Sequence, residues 1–220
     1  MIRSSFVAFI TILFFTILFS IPKTWANMPN TDIIHIGYGE NITNSIILPG
    51  YIDVYTFDAE AGDIINIQVK GEESTFDPRI ELYSPMGTLI TEDVEFNGLL
   101  KIDTLRLADS GIYSIFVMDE GEDDTSSYGL SLQRVFDPGN GEYVECNNMT
   151  SATIRKLAEM DAFILNGTAG DIFVMQVIGI DANFDPRVEI YNPEGVLISS
   201  KEISDWMLKI YMFVLPASGS

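Results

Sequence analysis

The chain has 220 residues, of which 47% are hydrophobic, and its formal charge is −20 at neutral pH. Twelve Lys and Arg residues against 32 Asp and Glu residues exclude a basic surface for nucleic acid or anionic lipid. A single cysteine, Cys146, and a single histidine, His35, exclude an internal disulfide framework and a histidine-pair zinc site.

Residues 1–26 are predicted to form a secretory signal peptide. A lone Arg3 precedes an apolar run over residues 6–21, and residues 24–26 end with small side chains at the first and third places. About 16 uninterrupted apolar or hydroxyl residues fall short of the roughly 20 that a bilayer core needs, which disfavours the alternative of a retained anchor. We expect cleavage after Ala26, which removes Arg3 and Lys23 and leaves a charge of about −22. The product is expected outside the cytoplasm, with no stable membrane insertion.

An internal repeat dominates the rest of the chain. The stretch from Asp53 to Gly111 recurs from Asp161 to Gly219 at a constant offset of 108 without a gap, and roughly two in five residues are identical. The breaker-rich segment from Phe136 to Gly141 lies between the copies. We predict an N-terminal linker over 27–39, a first module over 40–135, a linker over 136–142 and a second module over 143–220.

Each module is predicted to be an all-β structure. Short segments of alternating polarity are cut by turn residues every eight to twelve positions, a pattern typical of an antiparallel sandwich or barrel. Within 52–58, Tyr55 and Phe57 are expected to face the core, and Val54 and Thr56 to face water. The predicted strands are 45–48, 52–58, 64–70, 79–84, 88–91, 100–105, 111–118 and 128–134 in the first module, and 151–154, 161–165, 172–178, 187–191, 196–199 and 207–214 in the second.

The strand over 79–84 has two different faces. Arg79, Glu81 and Tyr83 alternate with Ile80 and Leu82, so the two sets point to opposite sides of a sheet. We expect Arg79 and Glu81 to form an ion pair on their shared face. Tyr83, and Tyr191 in the second module, are expected to be the aromatic side chains that contact a ligand.

The second module ends before its last two predicted strands. Residues 215–220 align with 107–112, which form the turn before those two strands in the first module. Unpaired strand edges favour aggregation and cost stability. Two expectations follow: either the sequence is part of a longer gene product, or a partner strand completes the sheet by β-augmentation.

Five motifs of the first module occur in a fixed order. They are Asp53-Val-Tyr-Thr-Phe57, Ala61-Gly-Asp63, the segment from Phe76 to Gly87, Ser110-Gly-Ile-Tyr113 and Tyr128-Gly-Leu-Ser-Leu132. Together they resemble the bacterial pre-peptidase C-terminal domain family. The resemblance covers most of 40–135 and of 143–220, although 161–165 has a degraded version of the first motif. It implies tandem jelly-roll-like β-sandwiches of secreted proteins, commonly appended to proteases and used for attachment to substrates or surfaces. Some relatives, such as the collagen-binding domains of clostridial collagenases, bind calcium.

No catalytic residue is predicted. A Ser or Cys triad needs a base, and His35 is the only histidine and precedes the first module. Neither a Gly-x-Ser-x-Gly motif nor a glycine-rich nucleotide-binding motif is present. No cofactor-binding or metal residue is assigned, although the acidic loop 119–124 offers five carboxylates to calcium.

Three functions are compatible with these observations. The first is a secreted, non-catalytic repeat protein that binds an unknown protein or polysaccharide ligand at a surface, or that accompanies a catalytic partner. The second is the front part of a secreted hydrolase, namely a peptidase, whose catalytic domain lies elsewhere. The third is a calcium-dependent binding module that uses the loop 119–124.

Overall fold

The structure is a computed structural model that describes residues 33–96, 98–181, 183–203 and 207–219. The predicted signal peptide, 1–26, lies outside the described residues. The described residues form strands and no helix, and they therefore include no helix that is long and apolar enough to cross a membrane. The strands are β1 (Ile34–His35), β2 (Glu40–Ile46), β3 (Ile52–Ala59), β4 (Ile64–Gly71), β5 (Pro78–Tyr83), β6 (Leu89–Val94), β7 (Leu99–Arg106), β8 (Gly111–Asp119), β9 (Ser126–Arg134), β10 (Glu142–Val144), β11 (Phe163–Leu165), β12 (Ile172–Ile178), β13 (Arg187–Tyr191), β14 (Leu197–Glu202) and β15 (Met207–Val214).

The first half of the chain, β1 to β9, is a two-sheet sandwich, which confirms the predicted all-β class. One sheet has the strand order β1-β3-β8-β5-β6 and the other β2-β9-β4-β7. All pairs are antiparallel except β1 with β3, which takes Ile34 and His35 from the segment predicted as a linker. Because β8 and β9 lie inside the two sheets, each sheet depends on a strand from the end of the first half.

A single apolar core lies between the two sheets. Tyr55 and Phe57 are 0% and 1% exposed there, as the alternation along β3 predicts. The Tyr55 hydroxyl bonds the Tyr128 hydroxyl, which donates to the Asp53 carboxylate over 2.7 Å. The buried hydroxyls of Tyr55 and Tyr128 are therefore hydrogen-bonded.

The outer face of the five-stranded sheet is also apolar, which corrects one prediction. Val54 was expected to face water, but it is 5% exposed and packs in a second buried cluster. Alternation along a strand shows which side chains share a face, and it does not show whether that face is covered. The cluster consists of Ile52, Val54, Tyr83, Phe116 and Met118.

The second half, β10 to β15, repeats three strand pairs of the first half in the same register. Each pair of residues that β12 forms with β15 lies 108 positions after a pair that β4 forms with β7. The same offset relates the pairs of β13 with β14 to those of β5 with β6. The register irregularity of each ladder recurs at the same place. The parallel pair of β10 with β11 likewise lies 108 positions after the parallel pair of β1 with β3. The first matched pairs are Ile64–Arg106 and Ile172–Val214, Arg79–Val94 and Arg187–Glu202, and Ile34–Tyr55 and Glu142–Phe163.

The same turn precedes the long strand in both halves. Gly62 and Gly170 have φ values of 97° and 91°, which an L side chain rarely adopts. The next residue, Asp63 or Asp171, accepts a bond at its carboxylate from the amide three residues earlier, over 3.0 and 2.9 Å. These two requirements explain why Ala-Gly-Asp recurs.

Two predicted strands differ most from those observed, and pairing explains both. The first edge strand covers Glu40–Ile46 rather than 45–48, because β2 bonds β9 over its whole length although its sequence is largely polar. The strand predicted over 151–154 is wrong, since those residues are exposed and irregular. Their counterparts in β2 pair with β9, and no described strand stands in that place in the second half.

Candidate functional site

One edge of β13 has no partner strand among the described residues. β5, its counterpart, lies between β6 and β8, whereas β13 pairs with β14 alone. The Glu120 amide donates to the Asp77 carbonyl over 2.9 Å next to the β5–β8 ladder. Since antiparallel bonds join every second pair, the backbone groups of Arg79, Glu81 and Tyr83 point towards β8.

The offset of 108 places three residues of β13 on the corresponding unpaired edge. They are Arg187, Glu189 and Tyr191, and their backbone N–H and C=O groups are available for another strand. We call this row of backbone groups the open edge. An unpaired edge of this kind is a template for strand addition.

Apolar side chains that are buried in the first half are exposed in the second. Phe163, the counterpart of the fully buried Tyr55, is 47% exposed. Ile172 is 62% exposed, whereas its counterpart Ile64 is 7% exposed. Contiguous exposed apolar surface marks an interaction site in many soluble proteins. The other strongly exposed apolar residues on or beside β12 to β15 are Val174, Ile178, Ile180, Val196, Leu197, Ile203 and Val214.

A polar contact joins the two halves beside the open edge. The Asn66 amide on β4 donates to the Tyr191 hydroxyl over 3.0 Å, and that hydroxyl donates to the Glu189 carboxylate over 2.6 Å. The guanidinium of Arg187 bonds both Glu189 and the Asp103 carboxylate, the latter at 3.0 Å. The side chains of all three edge residues are therefore engaged within the chain.

Burial raises the pKa values of two groups in this polar contact. It raises the pKa of Tyr191 well above its ordinary value, and the bond to Glu189 acts in the same direction. Burial and then the charge of Glu189 raise the pKa of Asp103, while Arg187 opposes them. The Arg187 cation therefore compensates two neighbouring carboxylates.

Sequence reasoning missed Asn66 and Asp103 as contact residues. The repeat contained one signal, because Asn66 faces outward on β4 and its counterpart Val174 is apolar. A difference in polarity at one register position indicates that the two copies have different neighbours. A separate cleft of about 150 Å³ is lined by Arg106 and Arg134 of the first half and by Glu194 of the second.

The two tyrosines predicted as ligand contacts are not free. Tyr83 is 8% exposed in the outer cluster, and its hydroxyl donates to Glu81 over 2.6 Å. Burial, followed by that bond, raises the pKa of Tyr83 to about 12. The predicted ion pair of Arg79 with Glu81 is present at 2.7 Å. Tyr191 contacts the first half of this chain.

Three carboxylates of the acidic loop converge. Oxygen atoms of Asp119, Asp123 and Asp124 all lie within 4.8 Å of one another. Asp119 is 3% exposed and accepts the backbone amides of Asp77, Asp123 and Asp124 over 3.1 to 3.2 Å. The Asp119 carboxylate thus fixes the loop, and calcium would need the remaining oxygen lone pairs of the cluster.

The residues weighed for nucleophilic chemistry lie apart from these features. His35 Nε2 is 3.6 Å from the Asp58 carboxylate at an exposed position on β1. Cys146 is an exposed free cysteine in the segment between β10 and β11.

Comparison with known proteins gives similarity in solved structures only. No family model and no curated protein matches the chain. It is similar to the pre-peptidase C-terminal domain of a collagenase from Bacillus anthracis, with 24% identity, a TM-score of 0.38 and coverage of 48% of this chain and 98% of that one. It is also similar to a periplasmic inhibitor of g-type lysozyme from Aeromonas hydrophila, with 15% identity, a TM-score of 0.37 and coverage of 46% and 95%. The corresponding inhibitor from Salmonella Typhimurium has 18% identity, a TM-score of 0.33 and coverage of 46% and 96%.

Proposed function

We propose that the chain is an exported, non-catalytic binding protein with two modules of the pre-peptidase C-terminal type. Its ligand in this proposal is a polypeptide with exposed apolar side chains. The observation that carries the proposal is the row of exposed apolar side chains along one face of β12, where Ile172, Val174 and Ile178 are 62%, 64% and 52% exposed. Exposed apolar surface of this kind matches the apolar side chains of another protein better than the hydroxyl groups of a polysaccharide.

Export rests on the predicted signal peptide, with the periplasm, the cell surface and the medium as destinations. A strongly acidic surface keeps such a protein soluble and repels anionic surfaces. The absence of enzymatic activity is part of the proposal, and it rests on the single histidine and the missing nucleophile motifs.

Retention on beads tests the proposal. The full exported chain is passed over beads that carry reduced, carbamidomethylated α-lactalbumin, native α-lactalbumin or chitin. We expect retention by the unfolded protein, little by the folded form and none by chitin. Retention by chitin alone would replace the polypeptide ligand with a polysaccharide, and cleavage of the unfolded protein by the purified chain would contradict a non-catalytic role.

Calcium-dependent binding is a second candidate function. The observation that favours it is the convergence of Asp119, Asp123 and Asp124. Hard oxygen ligands of this kind suit calcium, and an ion there would brace the loop between β8 and β9. Thermal unfolding of the full chain with and without calcium tests this candidate.

The hydrolase alternative stays a prediction. It requires a catalytic domain outside residues 1–220, and the gene sequence that follows the codon for Ser220 tests it. An open frame leading into a histidine-containing catalytic domain would favour it over a protein that only binds.

A further inference from the structure

We propose that one end of the first half docks a cationic segment of a partner polypeptide. This end is formed by the loops that connect β2 to β3, β4 to β5, β6 to β7 and β8 to β9, and we call it the loop end. The proposal goes beyond the proposed function, because it concerns a surface of the first half and no residue of β12.

The four loops of the loop end lie side by side in one row. Each loop joins the two sheets, whose strand orders are β1-β3-β8-β5-β6 and β2-β9-β4-β7. The pairs that hold the strand ends together here are Ile46 with Ser126, Pro78 with Asp119 and Lys70 with Leu99. The row therefore runs from the β2–β3 loop through the β8–β9 and β4–β5 loops to the β6–β7 loop.

The two outer loops of the row expose large apolar side chains. In the β2–β3 loop, Ile47 and Leu48 are 67% and 49% exposed. In the β6–β7 loop, Phe96 is 63% exposed. Exposed apolar side chains beside a polar surface mark interaction sites in soluble proteins. We infer that these two loops contact apolar side chains of the partner.

The two inner loops of the row are acidic. Residues 72–77 and 120–125 contain seven carboxylates and no Lys, Arg or His. Glu72, Glu73 and Glu122 are exposed there. Carboxylates that lie close together repel one another, and a cationic ligand offsets this repulsion.

The cations of the first half do not neutralise the loop end. Arg79, beside the inner loops, already binds Glu120 and two carboxylates of β5 and β6. Lys70 at the end of β4 is a single cation next to seven carboxylates. Arg106 and Arg134 line the cleft at the opposite end of the sandwich. Charge complementarity therefore favours a partner segment with several cations.

The row of loops also defines the spacing of residues in the partner segment. Neighbouring strands lie about 4.8 Å apart, so the two outer loops are about 14 Å from each other. An extended chain covers this distance in about four residues, at about 3.4 Å for each. We expect a segment with two apolar residues four positions apart and with Lys or Arg between them.

A short synthetic peptide provides the probe. Its sequence is Ser-Leu-Lys-Arg-Lys-Phe-Ser, with blocked termini and a dye. The matched control peptide, Ser-Leu-Phe-Lys-Arg-Lys-Ser, has the same composition and charge, but its two apolar residues are adjacent. Binding to the full exported chain is measured by fluorescence anisotropy in EDTA, so that calcium does not occupy the acidic loop. We expect the control peptide to bind at least about threefold more weakly than the probe, because it reaches only one outer loop.

Two triple variants separate the loop end from the general acidity of the chain. Each removes three exposed carboxylates. We expect the variant of the loop end to bind the probe about tenfold more weakly and the other variant to stay within about threefold of the parent. The loop-end variant is Glu72→Gln, Glu73→Gln, Glu122→Gln, and the control variant is Glu60→Gln, Asp109→Asn, Glu142→Gln.

A second pair of variants tests the apolar contact. Phe96→Ser should weaken binding of the probe at least about threefold, because it removes an apolar side chain that the complex buries. Met86→Ser is the control, since Met86 is 86% exposed in the turn between β5 and β6 at the opposite end. Its affinity for the probe should equal that of the parent.

Three outcomes would overturn the inference. They are no binding of the probe, equal affinity of the two triple variants, and equal affinity of the two peptides. Equal affinity of the triple variants would show a general attraction between opposite charges. Val174→Ser, on the exposed face of β12, should leave the affinity for the probe unchanged. A loss there that exceeds the loss in Phe96→Ser would move the peptide to β12 and would reject the loop end.

Discussion

The side-chain amide of Asn66 on β4 donates a hydrogen bond to the hydroxyl of Tyr191 on β13 over 3.0 Å. It joins two strands that are 125 positions apart in the chain. Asn66 also accepts the Thr104 backbone amide over 2.7 Å, so its side chain is held from both sides. The docking of the two halves therefore depends on a polar group that is fixed by the first half.

A double-mutant cycle measures this contact. Asn66→Ala and Tyr191→Phe each remove one partner, and we expect a coupling free energy of about 0.5–1.5 kcal/mol in chemical unfolding. Tyr83→Phe provides the control, because Tyr83 donates to Glu81 as Tyr191 does to Glu189. The cycle of Asn66→Ala with Tyr83→Phe should give no coupling, and equal coupling in both cycles would contradict the contact.

Asp53 gives the protein a specific pH dependence. Burial raises the pKa of Asp53, and the bond from Tyr128 opposes this shift. A raised pKa means that the folded state binds the proton more tightly than the unfolded state. The contribution of Asp53 to stability is therefore present below the unfolded pKa and is lost as pH rises through the folded pKa.

Asp53→Asn should remove this loss. We expect the free energy of unfolding of the variant to increase relative to that of the parent as pH rises through that window from about 4. Asp93→Asn, at an exposed position on β6, is the matched control, and the same trend in both variants would show that it does not come from the burial of Asp53. Parallel stability profiles for Asp53→Asn and the parent would show that the carboxylate is not perturbed by burial.

Ile64 and Ile172 occupy the same register position with different exposure, 7% and 62%. Ile64→Ser should lower the free energy of unfolding by about 2 kcal/mol or more, because it removes a buried apolar side chain. Ile172→Ser should change it by less than about 0.5 kcal/mol. Urea unfolding of both variants checks the pair, and equal losses would mean that the apolar surface of the second half is covered.

Calcium should raise the melting temperature of the full chain if the acidic loop binds the ion. The double variant Asp123→Asn, Asp124→Asn removes two of the three converging carboxylates and should abolish the rise. Glu122→Gln changes an acidic residue of the same loop outside the cluster, so its response should match the parent. An unchanged melting temperature of the parent at millimolar calcium would reject the ion.

The repeat predicted more of the fold than any local motif did. The offset of 108 correctly relates the partner residues of β12 with β15 and of β13 with β14, because identical turns and apolar alternation set the same register. Alternation also placed Tyr55 and Phe57 in the core. It failed for Val54 and Tyr83, since packing over the outer face is a tertiary property.

Contacts between the halves were beyond the reach of sequence patterns. The bond of Asn66 to Tyr191 depends on how two separate sheets dock, which no local period encodes. The strand predicted over 151–154 failed for a related reason, since an edge strand forms only beside a partner.

Hydrogen exchange of the backbone amides in the chain alone tests the open edge most directly. The account predicts that Arg187, Glu189 and Tyr191 exchange rapidly, whereas their counterparts Arg79, Glu81 and Tyr83, bonded to β8, exchange slowly. Slow exchange at all three residues of β13, equal to that of β5, would show that the edge is already paired and would contradict the account.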